Sequence, residues 1–374
     1  MKRIFSAASL VAAATLVLVL SSCAPAVNPT AAPTTHPHQT AKPHPAATQS
    51  ASPSVRVQIK CASLLTDSAA ATIMGSPVKA RVDETTRPVD ITDITSRQYG
   101  SLSCLWGGDR EDSGYDQDVS IDITPDAAAG FTANLANFAS QDAPTTSNSA
   151  GDKSVYGCTV DSDLHCTGNM LVGSFWVTAY IQNLGGAPVA QATANARMQQ
   201  VLVAVAAPLK TAIAAKAWIP PAGALPTFCS AVGSTAQVNA ALGVTDFAVV
   251  GEDDQVADAA SYTQQPGVYT QCTWGSSGSS SPFTYLSVAM LRGGAWVLPQ
   301  LPGEKPTASY MLDAYAPVTI PGATSAAGNC SVAADECEVA VAIGSLLVVI
   351  DVDDPSEAQS SAALAKIVAA IKAS

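Results

Sequence analysis

The sequence predicts an α+β fold made of two tandem copies of an antiparallel sheet packed by helices, with two disulfides in each copy. Three observations support it: the cysteine spacing, segments that alternate polar and apolar residues, and short helical segments with capping residues. Eight of the nine cysteines form two sets of four, and the first two members are 43 positions apart in both sets. The sets are Cys61, Cys104, Cys158 and Cys166, and Cys229, Cys272, Cys330 and Cys337.

The first element along the chain is a short apolar segment. Two basic residues follow the initiating Met, residues 5–20 are almost wholly apolar, and Leu20-Ser21-Ser22-Cys23 comes next. A stretch this short, ending in small residues, is typical of a signal peptide rather than of a membrane-spanning helix. Residues 1–22 are therefore predicted to be removed.

The four residues that end this segment resemble the lipobox of bacterial lipoproteins. The resemblance implies that Cys23 receives diacylglycerol on its sulfur and becomes the first residue of the mature chain. Two or more acyl chains would hold the protein stably on the extracytoplasmic side of the cell membrane, with the bilayer as its first partner. The alternative is an ordinary secretory signal in which Cys23 is incidental.

A tether is predicted to follow. Between residues 24 and 54 the chain has seven prolines, one lysine and no acid, which is too little apolar surface to fold. His36, His38 and His44 lie here, but a flexible backbone without supporting partners argues against a metal site. No metal and no cofactor is predicted anywhere in the chain.

Composition limits the function classes. The formal charge is −12 with only 18 Lys plus Arg and no basic cluster, so nucleic-acid binding has no electrostatic basis. A hydrophobic content of 48% is ample for packed cores. Paired cysteines in an exported chain indicate disulfides and an oxidising compartment.

Each copy is predicted to begin with a capped helix, at residues 66–74 and 234–242. Both segments open with hydroxyl or Asp residues and are followed by a glycine, Gly75 or Gly243, which lies 14 positions after the first cysteine of its set. Hydroxyl and Asp residues are favoured at helix N-termini, and glycine is favoured just past the C-terminus.

The strand signals recur in the same order. A C-x-W motif begins at Cys104 and again at Cys272, and each is followed by an alternating segment, 119–124 or 285–290. Seven residues after the last cysteine of each set stands a Gly-Ser pair between apolar runs, which predicts a hairpin turn. These turns are Gly173-Ser174 and Gly344-Ser345.

Each copy is predicted to end in a helix and to contain about five strands. Apolar residues at helical spacing end the first copy, where Pro208 should kink or stop the helix, and the second, where Asp354-Pro355 begins it. The first copy adds a helix near 126–140. The apolar faces are Met198, Leu202, Val205 and Leu209, and Leu364, Ile367, Val368 and Ile371.

The predicted organisation is a signal peptide at 1–22, a tether at 23–55, one copy at 56–216, a Pro-rich linker at 217–228 and a second copy at 229–374. Four cysteines allow three pairings per copy. The favoured pairing is local, because the short pair would join neighbouring strands and the long pair would tie the first helix to the Trp-bearing strand. It gives Cys61–Cys104, Cys158–Cys166, Cys229–Cys272 and Cys330–Cys337.

Leu64-Leu65 after Cys61, the glycine that ends the first helix and the C-x-W motif together resemble a family of actinobacterial lipoproteins of unknown function. They are more distantly similar to the extracellular sensor domains of mycobacterial serine/threonine kinases. The resemblance covers residues 56–215 and, more loosely, 222–374, where Val232 replaces the leucine pair. It implies no catalytic residues.

Candidate catalytic and metal-binding residues are few, so no enzymatic activity is predicted. His165 is the only histidine after the tether, its neighbour Cys166 is assigned to a disulfide, and no G-x-S-x-G motif exists. The acidic groups at 252–254 and 351–354 lack a calcium-loop pattern, which favours solvated turns. Trp106 and Trp274 could line a ligand cleft, although core packing over the disulfides is the stronger interpretation.

The sequence therefore predicts a membrane-anchored binding or sensing module that meets an unidentified envelope ligand or protein. The alternative is a structural or assembly partner of an envelope complex, without a small-molecule ligand. A concave apolar pocket with a few polar groups would favour the first function. A large exposed apolar patch would favour the second.

Overall fold

A computed structural model gives the fold of most of the chain after the predicted tether. It describes residues 52–80, 91–107, 117–140, 146–147, 149–161, 163–183, 189–221, 225, 229–253, 268–276, 285–303, 314–331, 336–353 and 365–369. The predicted signal peptide, Cys23 and almost all of the tether lie outside these residues. Residues 49–374 belong to one compact unit. We call residues 56–216 the first half and residues 229–374 the second half.

The first half contains five helices and seven strands among its described residues. They are α1 (Cys61–Leu64), α2 (Asp67–Met74), β1 (Lys79–Ala80), α3 (Ile91–Tyr99), β2 (Leu102–Gly107), β3 (Gln117–Thr124), α4 (Ala128–Ser140), β4 (Thr146–Ser147), β5 (Lys153–Val160), β6 (Leu164–Val172), β7 (Phe175–Asn183) and α5 (Gln191–Leu209).

The second half repeats much of this order. Its described elements are α6 (Cys229–Val232), α7 (Thr235–Leu242), β8 (Phe247–Asp253), β9 (Tyr269–Ser276), β10 (Tyr285–Leu291), a 3₁₀ helix (Gly294–Gln300), β11 (Ala316–Pro317), β12 (Ser325–Ser331), β13 (Glu336–Ile343), β14 (Leu346–Asp353) and a helical segment at 365–369.

Each half has one antiparallel sheet of seven strands, so the α+β prediction is confirmed. The first sheet has the order β1-β2-β3-β7-β6-β5-β4, and the second, taken from its β8 edge, has the order β8-β9-β10-β14-β13-β12-β11. The prediction of about five strands was too low because each sheet gains a strand at both edges. Three of these four edge strands have only two residues, too few to show alternation in the sequence.

The capped helices form as predicted. Thr66 Oγ1 accepts a hydrogen bond from the Ala69 N–H at the start of α2. Ser234 and Gln237 form a reciprocal capping box at the start of α7. Both helices end at a glycine with positive φ, which is 73° in each case. The shared caps fix both helices at the same place relative to the first cysteine of their half.

The predicted hairpin turns are also confirmed. Gly173 connects β6 to β7 with a φ of 60°, and Gly344 connects β13 to β14 with a φ of 62°. Glycine adopts this left-handed conformation at no steric cost, which explains why it stands at both turns. These two hairpins form the centre of their sheets.

One face of each sheet carries the cysteines, and we call it the cysteine face. In the first half α5 packs across this face and buries Met198, Leu202, Val205 and Leu209, as predicted. The helix contains Pro208 and ends one residue later, in agreement with the expected stop. In the second half the segment 365–369 buries Ile367 and Val368 in the corresponding core, while the predicted cap at Asp354-Pro355 lies outside the described residues.

The opposite faces are covered differently. Helix α4 covers the first sheet through Phe131, which packs edge-on against Trp176 with ring centroids 5.7 Å apart. The second sheet is covered by its 3₁₀ helix and by α3, which belongs to the first half. Ile94 of α3 is buried in the core that lies on this opposite face of the second sheet. The Gln98 side-chain amide donates a hydrogen bond to the Arg292 carbonyl at 2.9 Å. The two halves therefore share the core on this face of the second sheet, while each has its own core on its cysteine face.

Three disulfides lie among the described residues, Cys61–Cys104, Cys158–Cys166 and Cys229–Cys272. They match three of the four predicted pairings, and both long ones span 43 positions. Two disulfides per copy were predicted, and one disulfide lies among the described residues of the second half. Cys337 is also disulfide-bonded and faces Cys330 across the β12–β13 pair, but the Cys330 side chain lies outside the described residues.

Candidate functional site

An apolar cavity of about 390 Å³ lies on the cysteine face of the second half. Its floor comes from β9 and β10, and its sides come from α6, α7 and the segment 365–369. A volume of this size is typical of small-molecule sites. The lining residues are Val232, Gly233, Gln237, Val238, Ala240, Ala241, Trp274, Leu286, Val288, Lys366 and Ile367.

The cavity opens at its helices and is closed at its strands. Gln237 and Lys366 are exposed, whereas Trp274, Leu286 and Val288 have no exposed surface. A ligand would therefore enter between α7 and the segment 365–369.

The two predicted cleft residues have different surroundings. Trp106 and Trp274 are both fully buried in the core of their half, which agrees with the core-packing interpretation. Trp274 also lines the cavity. Neither indole N–H has a hydrogen-bond partner. The structure therefore associates one of the two tryptophans with a space that a ligand could occupy.

Two small residues open this space. Counted from the first cysteine of each half, Gly233 occupies the position of Leu65, and Ala241 occupies that of Ile73. Leu65 and Ile73 are buried in the first core, whereas Gly233 and Ala241 line the cavity. A Cβ atom at Gly233 would meet only Val238 Cγ2, at 3.5 Å, which is ordinary contact. Among the described residues, no other side chain fills the volume that the smaller Gly233 and Ala241 leave open.

Strand residues on the cysteine face are also larger in the second half. In the first half Gly168 is paired with Ala179, and a Cβ atom at Gly168 would stand 2.7 Å from Met198 Sδ of α5. Two residues after the last cysteine, the second half has Val339 instead, paired with Ile350. These branched side chains prevent a helix from lying as close to the strands as α5 does.

The polar groups around the cavity are mainly hydrogen-bond donors. Lys366 Nζ makes one long contact of 3.4 Å to the Ala241 carbonyl and has three hydrogens to donate. The Gln237 side-chain oxygen already accepts from the Ser234 N–H at 2.8 Å, which leaves its NH2 group as donor. The buried Trp274 N–H is a third donor. No acidic side chain is among the described residues of the lining.

The remaining candidates from the sequence do not assemble a site. His165 is exposed on β6, opposite Thr159 and Gln182, and its neighbour Cys166 is bonded to Cys158. No group of three His, Cys, Asp or Glu side chains suitable for a metal occurs in the part of the chain that the structure describes.

The acidic residues were expected in solvated turns, and this expectation was wrong for those described. Glu252 and Asp253 pair with residues of β9, while Asp351 and Asp353 pair with residues of β13. The alternation of acids with valine at 351–353 is itself a strand pattern. Asp254 and Asp354 lie outside the described residues.

Sequence reasoning missed most of the cavity lining, although one signal was present. The replacement of the Leu64-Leu65 pair by Val232-Gly233 removes a large side chain next to a core helix. The Ala241 and Val339 differences become informative only when the strand and helix partners are known.

Among the described helices, none has the length and apolar character that a membrane span requires. No protein-family model, curated protein or solved structure shows significant similarity to this chain.

Proposed function

We propose that this protein is a lipid-anchored binding module of the cell envelope whose second half binds an apolar small molecule. The observation that carries the proposal is the cavity of about 390 Å³ on the cysteine face. Burial of apolar ligand surface against Leu286, Val288 and Trp274 would provide the driving force. A concave apolar pocket with a few polar groups is the feature expected of a binding module rather than of an assembly partner.

The anchor belongs to the same proposal. Cys23, acylated as in the lipoproteins that residues 20–23 resemble, would hold the chain at the outer face of the membrane. The tether would then place the cavity at a distance from the bilayer set by a Pro-rich spacer. Binding without chemistry is consistent with the exposed position of His165 and with the disulfide that its neighbour Cys166 forms.

We also infer that the two halves arose by duplication and that smaller side chains in the second, Gly233 and Ala241, left space for its cavity. Support comes from the register of the strands, because equivalent positions form one continuous row across five strands in each sheet. These rows are Trp106, Val119, Ile181, Cys166 and Cys158, and Trp274, Leu286, Val352, Cys337 and Cys330.

A neutral apolar fluorescent probe such as Nile red tests the binding function. The chain from residue 24 onward, which lacks the predicted acylation site, should bind the probe saturably. Gly233→Leu should abolish saturable binding because it places the first half's side chain in the cavity. Gly251→Leu is the matched control, since its Cβ would make only ordinary contact, 3.6 Å from Thr273, and it lies on β8 away from the cavity.

Two results would contradict the proposal. One is the absence of saturable binding to the unaltered chain. The other is equal loss of binding in Gly233→Leu and Gly251→Leu, which would indicate general disruption of the second half rather than a filled cavity.

A further inference from the structure

We propose that the ligand of the second half is an amphiphile with a single apolar chain and an anionic head group, and that Lys366 binds the head. This inference rests on the proposed binding function and names the chemical class of its ligand. Fatty carboxylates and monoalkyl phosphates share this chemistry. The head group would remain at the cavity mouth while the chain extends toward the strands.

The lining separates into an apolar floor and a polar mouth. The floor residues Trp274, Leu286 and Val288 are closed to solvent, and the sides add Val232, Val238 and Ile367. The exposed polar side chains, Gln237 and Lys366, stand where the cavity opens. A ligand that is apolar at one end and polar at the other matches this gradient, because each end then keeps the environment it prefers.

The charge of the head group follows from the kind of polar atom present. Lys366 is the one charged residue among the described residues of the lining, and its contact to the Ala241 carbonyl leaves donor capacity unused. The Gln237 oxygen is already engaged within the capping box. Hydrogen-bond donors that include an unused cation, with no acidic side chain among the described residues of the lining, favour an acceptor that carries negative charge.

The net charge of the chain opposes anion binding unless a local cation offsets it. At a formal charge of −12 the protein as a whole repels anions. An anionic ligand would therefore bind where a local cation coincides with apolar surface, and the cavity mouth provides both. A short anion without a chain would lack the apolar contribution and bind weakly.

The test uses displacement of the Nile red probe from the chain beginning at residue 24. Dodecanoate, dodecyl phosphate and neutral dodecanol share the same chain, and inorganic phosphate and acetate supply the heads alone. We expect both amphiphilic anions to bind about tenfold more tightly than dodecanol, a difference of about 1.4 kcal/mol. Phosphate and acetate should not displace the probe. The tighter of the two amphiphiles identifies the head group as carboxylate or phosphate.

Variants at the mouth isolate the role of the lysine. Lys366→Met should reduce the affinity for both amphiphilic anions to that for dodecanol and leave dodecanol binding unchanged, while Lys366→Arg should retain most of the preference. Lys216→Met, at an exposed position in the chain leading to the second half, should change nothing. Because Lys366 is exposed, its replacement by Met should preserve the fold, and unchanged dodecanol binding verifies this.

The outcomes distinguish this inference from the proposed function. If dodecanol displaces the probe but the anions bind no better, or if Lys366→Met retains the preference, the head-group assignment is wrong and the apolar binding site stands. If no compound displaces the probe and Gly233→Leu has no effect on its binding, both proposals fail.

Discussion

The two halves have the same strand order but bury their cysteine faces differently. In the first half α5 lies directly over Gly168, so close that no Cβ atom would fit without movement of Met198. In the second half Val339 and Ile350 occupy the corresponding strand positions, Gly233 replaces a leucine, and a cavity remains. A few side-chain volumes therefore decide whether this scaffold forms a closed core or leaves a cavity.

The opposite faces differ in a second way. The first sheet is covered by its own helix α4, whereas the second sheet depends on α3, an element of the first half. The second half is thus the more open on one face and the more dependent on its neighbour on the other. Because of both properties, we expect local opening to occur more readily in the second half than in the first.

The largest expected effect tests this dependence. Ile94→Ala should lower the free energy of unfolding by about 3 kcal/mol, because it removes a fully buried side chain from the core that α3 forms with the second sheet. Amide hydrogen exchange should accelerate in β10 more than in β3, although the mutation lies in the first half. Urea denaturation followed by exchange measurements checks both statements.

Ile213→Ala is the matched control, since Ile213 is 75% exposed and its truncation should change stability by less than about 0.5 kcal/mol. Faster exchange confined to β3 after Ile94→Ala would mean that α3 supports its own half instead. The two halves would then be independent, as a Pro-rich linker alone suggests.

The sequence predicts the parts of the fold that have local signals, and it does not predict contacts between distant elements such as α3 and the second sheet. The capped helices, the central hairpins and the three described disulfides follow from local signals: caps, glycine turns and matched cysteine spacing. Helix α3 has a glycine stop, Gly100 with a φ of 76°, but its sequence ITDITSRQY is rich in residues of modest helix propensity and predicts a helix only weakly. Its position is determined by burial of Ile94 against a sheet far away in the sequence. Contacts of that kind override local preference.

The cavity illustrates the same limit at the level of the site. The sequence identifies Trp106 and Trp274 as equivalent, and Trp274 is the one that lines the described cavity. The difference arises from Gly233 and Ala241, which line the cavity from outside the strands and are smaller than the residues at the same positions of the first half. A missing volume is a property of all the residues around it, and no single motif encodes it.

A smaller effect is expected where the first half is closed. Gly168→Val introduces the residue found at the equivalent position of the second half. It should cost about 1–3 kcal/mol, since even the Cβ atom would approach Met198 Sδ to 2.7 Å and Leu202 Cδ1 to 3.2 Å. Urea denaturation measures the loss, and saturable Nile red binding to a second site would reveal whether α5 has been lifted from the sheet.

Thr167→Val controls for the β-propensity of valine, because Thr167 is the exposed neighbour of Gly168 on β6. Its effect should stay within about 0.5 kcal/mol. If Gly168→Val is equally neutral, α5 can shift at little cost. The close packing of the first half would then not be what excludes a ligand.

The smallest expected effect has the opposite sign. Without ligand, Gly233→Leu should raise the free energy of unfolding by about 1 kcal/mol, because it fills apolar space and removes a flexible residue from the unfolded chain. The backbone there needs no positive φ, and the nearest side-chain atom leaves ordinary contact distance for a Cβ. Gly251→Leu should change stability by less than about 0.5 kcal/mol.

A loss of stability in Gly233→Leu would mean that the lining cannot accept a leucine, so that the cavity is narrower than its volume indicates. A higher free energy of unfolding together with loss of probe binding would show that the open cavity lowers the stability of the second half.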